Sequence, residues 1–333
     1  MLSPDIKNRY YPHIDIAKCM MAIFVVAIHT HPQSIIGNSS LENLILRVYQ
    51  MAVPYFFVVS GFFLGNKIRG QEPLHHVRRW LKHVFVLYAI WTVLYLPYTF
   101  YGFWIEQTKF TTAVIVFARN FLLVGENYMS WPLWYLLGML VAGIIIYLFL
   151  RLGLGLKSMI GFAVLLLLVG AWLDFVHDND VMNPMVKTYY RLFKSTRNGL
   201  FQGFPYMVMG LMIAKGMAII RNNLLLLALG CSTLIIWLLG CDYALFLVIY
   251  FLVQTLLKSD RKEEPKLFRG NMSLRIISNV IYFTHMMWVG ILVLCFHIEN
   301  GMTVFLASLL VSIVASYIVG RNMGNRWVRL CFC

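Results

Sequence analysis

A chain of 333 residues that is 60% hydrophobic and only 13% charged, with a mean hydropathy of +0.72, lies outside the range of soluble globular domains. Its net charge of +14 would suit a nucleic-acid partner, but the cations fall in alternate segments between apolar stretches, which excludes nucleic acid and selects a lipid bilayer. The expected fold class is therefore an all-α membrane protein, a polytopic bundle of about ten transmembrane helices.

Stretches of roughly 17 to 25 apolar residues suit a bilayer crossing. In chain order they are expected near residues 14–31, 48–65, 80–100, 131–150, 158–175, 200–219, 223–239, 243–257, 276–297 and 302–320. The segment from Thr111 to Val124 is shorter and broken by Arg119, so it reads as an interfacial helix. With the amino terminus inside, the inner segments hold 20 Lys and Arg, including Lys67, Arg69 and the Lys258 to Arg275 loop, and the outer loops hold seven. Both termini are thereby expected in the cytoplasm. No cleavable signal is expected, because the Ile14 to Ile28 core lacks a small-residue cleavage site. Residues 1–333 are expected to form a single integral-membrane domain with no soluble domain attached. Cys19, Cys231, Cys241 and Cys295 lie in or beside spans without metal-ligand spacing, and Cys331 and Cys333 lie in a tail where disulfides are disfavoured. No metal is expected.

The first span carries Asp15, Lys18 and His29. Ionisable residues inside a membrane cost ~2.5 to 3.5 kcal/mol on insertion scales and are functional candidates by default. Lys18 and His29, eleven residues apart, differ by about 20° of rotation and ~16 Å of rise on a helix, so they share one stripe three turns apart. Asp15 lies within roughly 60° of both. His29 can exchange a proton near neutral pH and can act as general base or nucleophile. Lys18 can meet an anion entering from the inner side, or snorkel; Asp15, at i, i+3, can simply pair with it. His31 points about 200° away and reads as an interfacial group.

Later residues add weaker candidates. The loop His75 to His83 gathers Arg78, Arg79 and Lys82, where phosphates could dock, although inside anchoring alone would also produce it. Ser60-Gly61-Phe62 follows Pro54 and offers a hydroxyl and a close-approach glycine in a span that the proline can kink, although helix packing is the more usual explanation. Trp131, Trp134 and Tyr135 could stack on a sugar or form an aromatic belt. Thr196-Arg197-Asn198-Gly199 opens the sixth span after a loop with Asp174, Asp178, Asp180, Lys187, Arg191 and Lys194, and offers an acceptor-binding lip. Tyr282 and His285 are three apart on the ninth span.

Together these residues resemble the integral-membrane acyltransferase-3 family, which O-acylates bacterial surface glycans and some small molecules. The carriers are Asp15, Lys18 and His29, matching the family's first-helix motif of Arg or Lys, ten residues and His; Val53-Pro54-Tyr55-Phe56-Phe57-Val58-Val59-Ser60-Gly61-Phe62; Arg78-Arg79 to Lys82; Trp134-Tyr135-Leu136; and Tyr282 to His285. Thr196 to Phe201 is also similar to the membrane half of VanT-type serine racemases of the same group. Lys18 departs from the commoner Arg and loses a bidentate phosphate contact, and Lys82 stands where many members have Arg; neither an esterase-like carboxy-terminal domain nor a racemase half is expected.

The resemblance implies an O-acetyltransferase in a bacterial inner (cytoplasmic) membrane, moving an acyl group from acyl-CoA, with acetyl-CoA as co-substrate. Its acceptor would be a hydroxyl on a glycan or small molecule. Catalysis would fall to His29, as general base or transient acyl carrier, with Lys18 and Asp15. Lys18, Arg78, Arg79 and Lys82 would hold the donor, and Ser60, Trp134, Tyr135, Arg197, Asn198 and His285 the acceptor. One rival reading is a proton-coupled transporter or flippase for an amino acid or lipid-linked sugar, with Lys18 and His29 as a relay, although no internal duplication is evident. Another is a structural membrane partner, in which the polar stripe would tolerate alanine.

Overall fold

A computed structural model describes residues 11–70, 72–179, 183–259 and 273–332. Asp180, Cys333 and most of the Lys258 to Arg275 loop lie outside the described residues. The described chain is helical, with no strand. Seven helical stretches are long and apolar enough to cross a membrane, or eight when the pair Pro73–Leu94 and Leu96–Ile105, bent by 49°, counts as one span. This is an all-α, multi-pass membrane protein. The sixth and seventh expected spans are the shorter apolar helices Gly199–Ala214 and Asn223–Leu238, and the expected interfacial segment is the short helix Phe110–Val124.

The chain divides into two compact units, Met1–Val59 with Gly216–Cys333, and Ser60–Lys215. The first contains α1 (Pro12–Thr30), α2 (Ser39–Tyr49) and the opening of α3 (Ala52–Lys67). The second runs through α4 (Pro73–Leu94), α5 (Leu96–Ile105), α6 (Phe110–Arg119), α7 (Trp134–Arg151), α8 (Leu156–Asp178), α9 (Pro184–Phe193) and α10 (Phe204–Ala214). The first unit is then completed by α11 (Asn223–Leu238), α12 (Leu245–Ser259), α13 (Leu274–Gly290), α14 (Gly301–Arg321) and α15 (Arg326–Phe332).

Helix ends follow local chemistry. Asn38, Asn183, Asn198, Asn222, Ser273 and Asn300 each accept a backbone N–H from the turn that follows, satisfying donors that have no intrahelical partner. Pro12 opens α1 and Asp15 sits in its first turn, where the helix dipole favours a carboxylate. The bend between α4 and α5 falls at Tyr95, two residues before Pro97, whose ring cannot continue the hydrogen-bond ladder.

Two sequence expectations are corrected. The stretch His75 to His83 is not a loop: Pro73 starts α4, and Arg78, Arg79 and Lys82 are exposed on its first turns. Proline at the first helical position is pre-organised for this start, so the span extends by a polar, basic end. Pro54 does not kink a helix interior either. It lies in the first turn of α3, where a missing N–H breaks no hydrogen bond of that helix.

In the first unit α13 packs on both α1 and α14, and Ala22, Val26 and Ile281 form a buried nucleus against Phe56, Ile277, Phe305 and Leu309. The buried face of α14 is Val304, Ser308, Ser312, Ser316 and Gly320. This four-residue repeat of small side chains lets helices approach closely in a membrane, and Thr284 meets Ser312 at 3.3 Å across the seam. The second unit uses glycine for the same end. A Cβ added at Gly61 would collide with the backbone of Met207, and one at Gly199 would lie 2.6 Å from the carbonyl of Gly138.

Candidate functional site

The first turns of α1 and α13 converge on one carboxylate. Asp15 is 1% exposed. Its Oδ1 lies 3.6 Å from Lys18 Nζ, and its Oδ2 accepts a hydrogen bond from Arg275 Nη2 at 3.1 Å. Lys18 comes from the same helix one turn on, as expected. Arg275 comes from α13, 260 residues away in the chain, and sequence reasoning counted it only as an inner-loop cation. Two cationic side chains thus share this carboxylate. Tyr55 fastens the start of α3 beside this cluster, donating its hydroxyl to the carbonyl of Ile14 at 3.0 Å.

Toward the other end of α1, the ring of His29 stacks on that of His285, with centroids 5.6 Å apart and planes 26° from parallel. His285 is completely buried. Its Nδ1–H donates to the carbonyl of Ile281 at 3.0 Å, so in the neutral ring Nε2 carries the lone pair. That Nε2 is buried and, among the described residues, has no hydrogen-bond partner; the same holds for Asp15 Oδ1 and for Trp288 Nε1, one turn beyond His285. Buried polar atoms are nearly always paired, which marks His285 Nε2 and Trp288 Nε1, one turn apart on α13, as exceptions among the described residues. Tyr282 extends the wall, its ring 6.4 Å from His285 and 5.6 Å from Phe56. His31 caps α1 in the left-handed region at φ 50° and is exposed, consistent with an interfacial group.

The remaining sequence candidates lie in the second unit. Ser60 and Tyr135 are brought together, their hydroxyls 3.0 Å apart, with Tyr135 buried and Trp134 half-buried beside it on α7. Arg78 donates to the Tyr147 hydroxyl at 3.0 Å, while Arg79 and Lys82 are exposed. Arg197 is exposed. Asn198 is engaged on both sides of its amide: Oδ1 accepts from the N–H groups of Leu200 and Phe201, and Nδ2 donates to Tyr189 at 2.6 Å and to the Ser195 carbonyl at 3.2 Å. It caps the π-helical turn Gly199–Gly203 that leads into α10.

Asp174, read from the sequence only as a loop charge, lies on α8 and anchors this region. It accepts from Tyr190 at 2.6 Å and from Thr196 at 2.7 Å, and His177 stacks on Tyr190 at 3.7 Å. Burial pushes the Tyr189 phenol up to about 12, opposed by the Asn198 hydrogen bond and assisted by the Asp174 charge. Among the described residues no group of three or more His, Cys, Asp or Glu is placed to hold a metal ion.

A bundle of apolar helices that buries a carboxylate between two cations, and a stacked imidazole pair on the same two helices, defines an integral membrane protein built around a polar interior site. The chain belongs to the Acyl_transf_3 family: the model of that family, an acyltransferase domain, matches residues 11–321. Among curated relatives, an amino-acid racemase of Enterococcus faecalis is 26% identical over 205 residues, 60% of this chain and 28% of that protein. A serine/alanine racemase of Enterococcus gallinarum is 24% identical over 209 residues, 61% of this chain and 29% of its own length. The chain thus spans less than a third of the length of the curated relatives it matches. No solved structure matches it.

Proposed function

We propose that the protein is a membrane O-acyltransferase that moves an acyl group, acetyl in the first instance, from cytoplasmic acyl-CoA to a hydroxyl of a surface glycan or related acceptor in a bacterial inner membrane. Membership of the acyltransferase-domain family supports the reaction class. The observation that carries the residue assignment is the His29–His285 stack on the helix that also holds Asp15 and Lys18. In this reading His29 removes the proton of the acceptor hydroxyl as it attacks the thioester carbonyl, or carries the acyl group briefly before the acceptor takes it. The thiolate of CoA leaves and takes up the proton.

In the first unit Lys18 and Arg275 beside Asp15, and in the second the exposed Arg78, Arg79 and Lys82, are each candidates to supply charge for the donor's phosphates. The bias of loop charge toward one side supports a cytoplasmic face for the chain termini and for entry of the donor. The acceptor is then received farther along α1 and α13, beside His285; in the second unit Ser60, Trp134, Tyr135, Arg197 and Asn198 are separate candidates for acceptor contact. The deciding experiment uses purified, correctly inserted protein, radiolabelled acetyl-CoA and a panel of hydroxyl acceptors. Transfer by the wild-type protein and its loss in His29→Ala supports the reading. Undiminished transfer by His29→Ala overturns it, and substrate uptake in proteoliposomes without transfer would establish the transporter instead.

A further inference from the structure

The tertiary structure places a guanidinium from another helix beside Lys18, on the same carboxylate. Arg275 reaches Asp15 with Nη2 alone, and its side chain is 56% exposed. Asp15, almost wholly buried, is thereby held between Lys18 at 3.6 Å and Arg275 at 3.1 Å, and its Oδ1 remains without a hydrogen bond among the described residues. A carboxylate in that position fixes the direction of the arginine as well as balancing part of the charge. The guanidinium retains N–H donors on an accessible side, in the planar array that matches two phosphate oxygens at once. Lysine offers only a point charge.

We propose that Arg275 is a donor-binding residue that contacts the phosphoryl groups of the acyl-CoA nucleotide, that Lys18 adds unspecific charge beside it, and that Asp15 positions both. This deepens the acyltransferase reading and rests on it for the identity of the donor, though not for the existence of a phosphate site. Selectivity for a nucleotide-bearing thioester over a short thioester then resides in a residue far from the first-helix motif. The positioning role of Asp15 also explains why it is buried while Arg275 stays exposed.

The test compares dissociation constants of coenzyme A, phosphate-free pantetheine and inorganic pyrophosphate for detergent-purified full-length protein, in wild type, Arg275→Lys and Lys18→Arg/Arg275→Lys. Arg275→Lys keeps the charge that holds Asp15 and is the variant most certain to fold. It is expected to weaken coenzyme A and pyrophosphate by about tenfold, the scale of one charge-assisted hydrogen bond, and to leave pantetheine unchanged. The double variant, with its guanidinium moved to position 18, is expected to recover most of the loss, which a merely structural arginine would not allow. Unchanged coenzyme A and pyrophosphate binding in Arg275→Lys overturns the proposal, as does equal weakening of pantetheine or failure of the wild type to bind any phosphate probe. Arg275-dependent pyrophosphate binding without acetyl transfer would retain the phosphate site and remove the acyltransferase reading; acetyl transfer with an indifferent Arg275 would do the reverse.

Discussion

Among the described residues, the buried polar residues of Ser60–Lys215 are Thr92, Thr99, Asn120 and Ser130, and each is hydrogen-bonded within that unit. In the unit formed by Met1–Val59 and Gly216–Cys333 the buried set includes Asp15 and His285, and every buried side-chain atom lacking a hydrogen bond lies there: on Asp15, Gln33, Gln254, His285 and Trp288. One unit satisfies its polar groups internally; the other holds several in reserve. An unpaired buried polar group costs about 1 to 3 kcal/mol, so the two units differ in how much polar desolvation the described residues leave uncompensated. The comparison makes the first unit the place to test first for the proposed chemistry.

The comparison breaks most decisively at His29. His29→Ala should lower acetyl transfer by a hundredfold or more, within the ~10² to 10⁴ that a positioned base or acid contributes, with insertion checked by protease accessibility. His285→Asn, whose amide N–H can still serve the Ile281 carbonyl, should lose less, because only the stacked ring is removed. Equal losses would make the two histidines one functional unit.

Stability is the next lever. Asp15→Asn removes the carboxylate that Lys18 and Arg275 share and should lower stability by about 3 kcal/mol, the lower end for breaking a buried pair, since Arg275 is exposed. Thermal unfolding in detergent measures it. In the second unit, Gly61→Ala drives a methyl group into the Met207 backbone and should cost about 2 kcal/mol, as overpacking of a tight contact does, while coenzyme A binding by the folded fraction stays unchanged. A binding loss in Gly61→Ala beyond the loss of folded protein would mean that the packing of α3 on α10 at Gly61 also shapes donor binding.

The smallest effect is expected at Asn198. Asn198→Ala should cost about 1 kcal/mol through the lost helix cap. It should also raise the Tyr189 titration, read by tyrosinate absorbance, because the amide hydrogen bond that favours the phenolate is gone. The sign for stability follows. Tyr189 in the folded protein titrates above its ordinary value of 10, at about 12, so its contribution is complete below pH 10 and is lost as pH rises through 12. A large fall in acetyl transfer with little change in stability would instead assign Asn198 to the acceptor.

Much of this was legible in the residues. Eight of the ten expected spans correspond to membrane-length helical stretches, counting the bent pair as one, because twenty apolar residues in a row have few other destinations. The sixth and seventh are shorter than their apolar runs suggest. Asn198 caps the sixth, and left-handed Gly216 with Asn222 interrupts the chain between the two. The helical start at Pro73 was missed because its turns are polar, and membrane hydropathy detects apolar length rather than helix. Asp174 was visible only as one acid among several; its partners Tyr190 and Thr196 stand 16 and 22 residues away, beyond any helical spacing.

For the site, the sequence by itself determined the stripe of Asp15, Lys18 and His29, since helical periodicity is local and depends on nothing outside α1. It also marked Tyr282 and His285 as polar groups in an apolar helix. Only the packing of α13 on α1 decided that His285 stacks on His29 and that Arg275 shares Asp15 with Lys18. Residues some 260 positions apart meet through burial of the apolar faces between them, around Ala22, Val26 and Ile281. That burial is non-directional, and the shape of the packed helices, rather than any spacing in the chain, selects which polar groups are carried together.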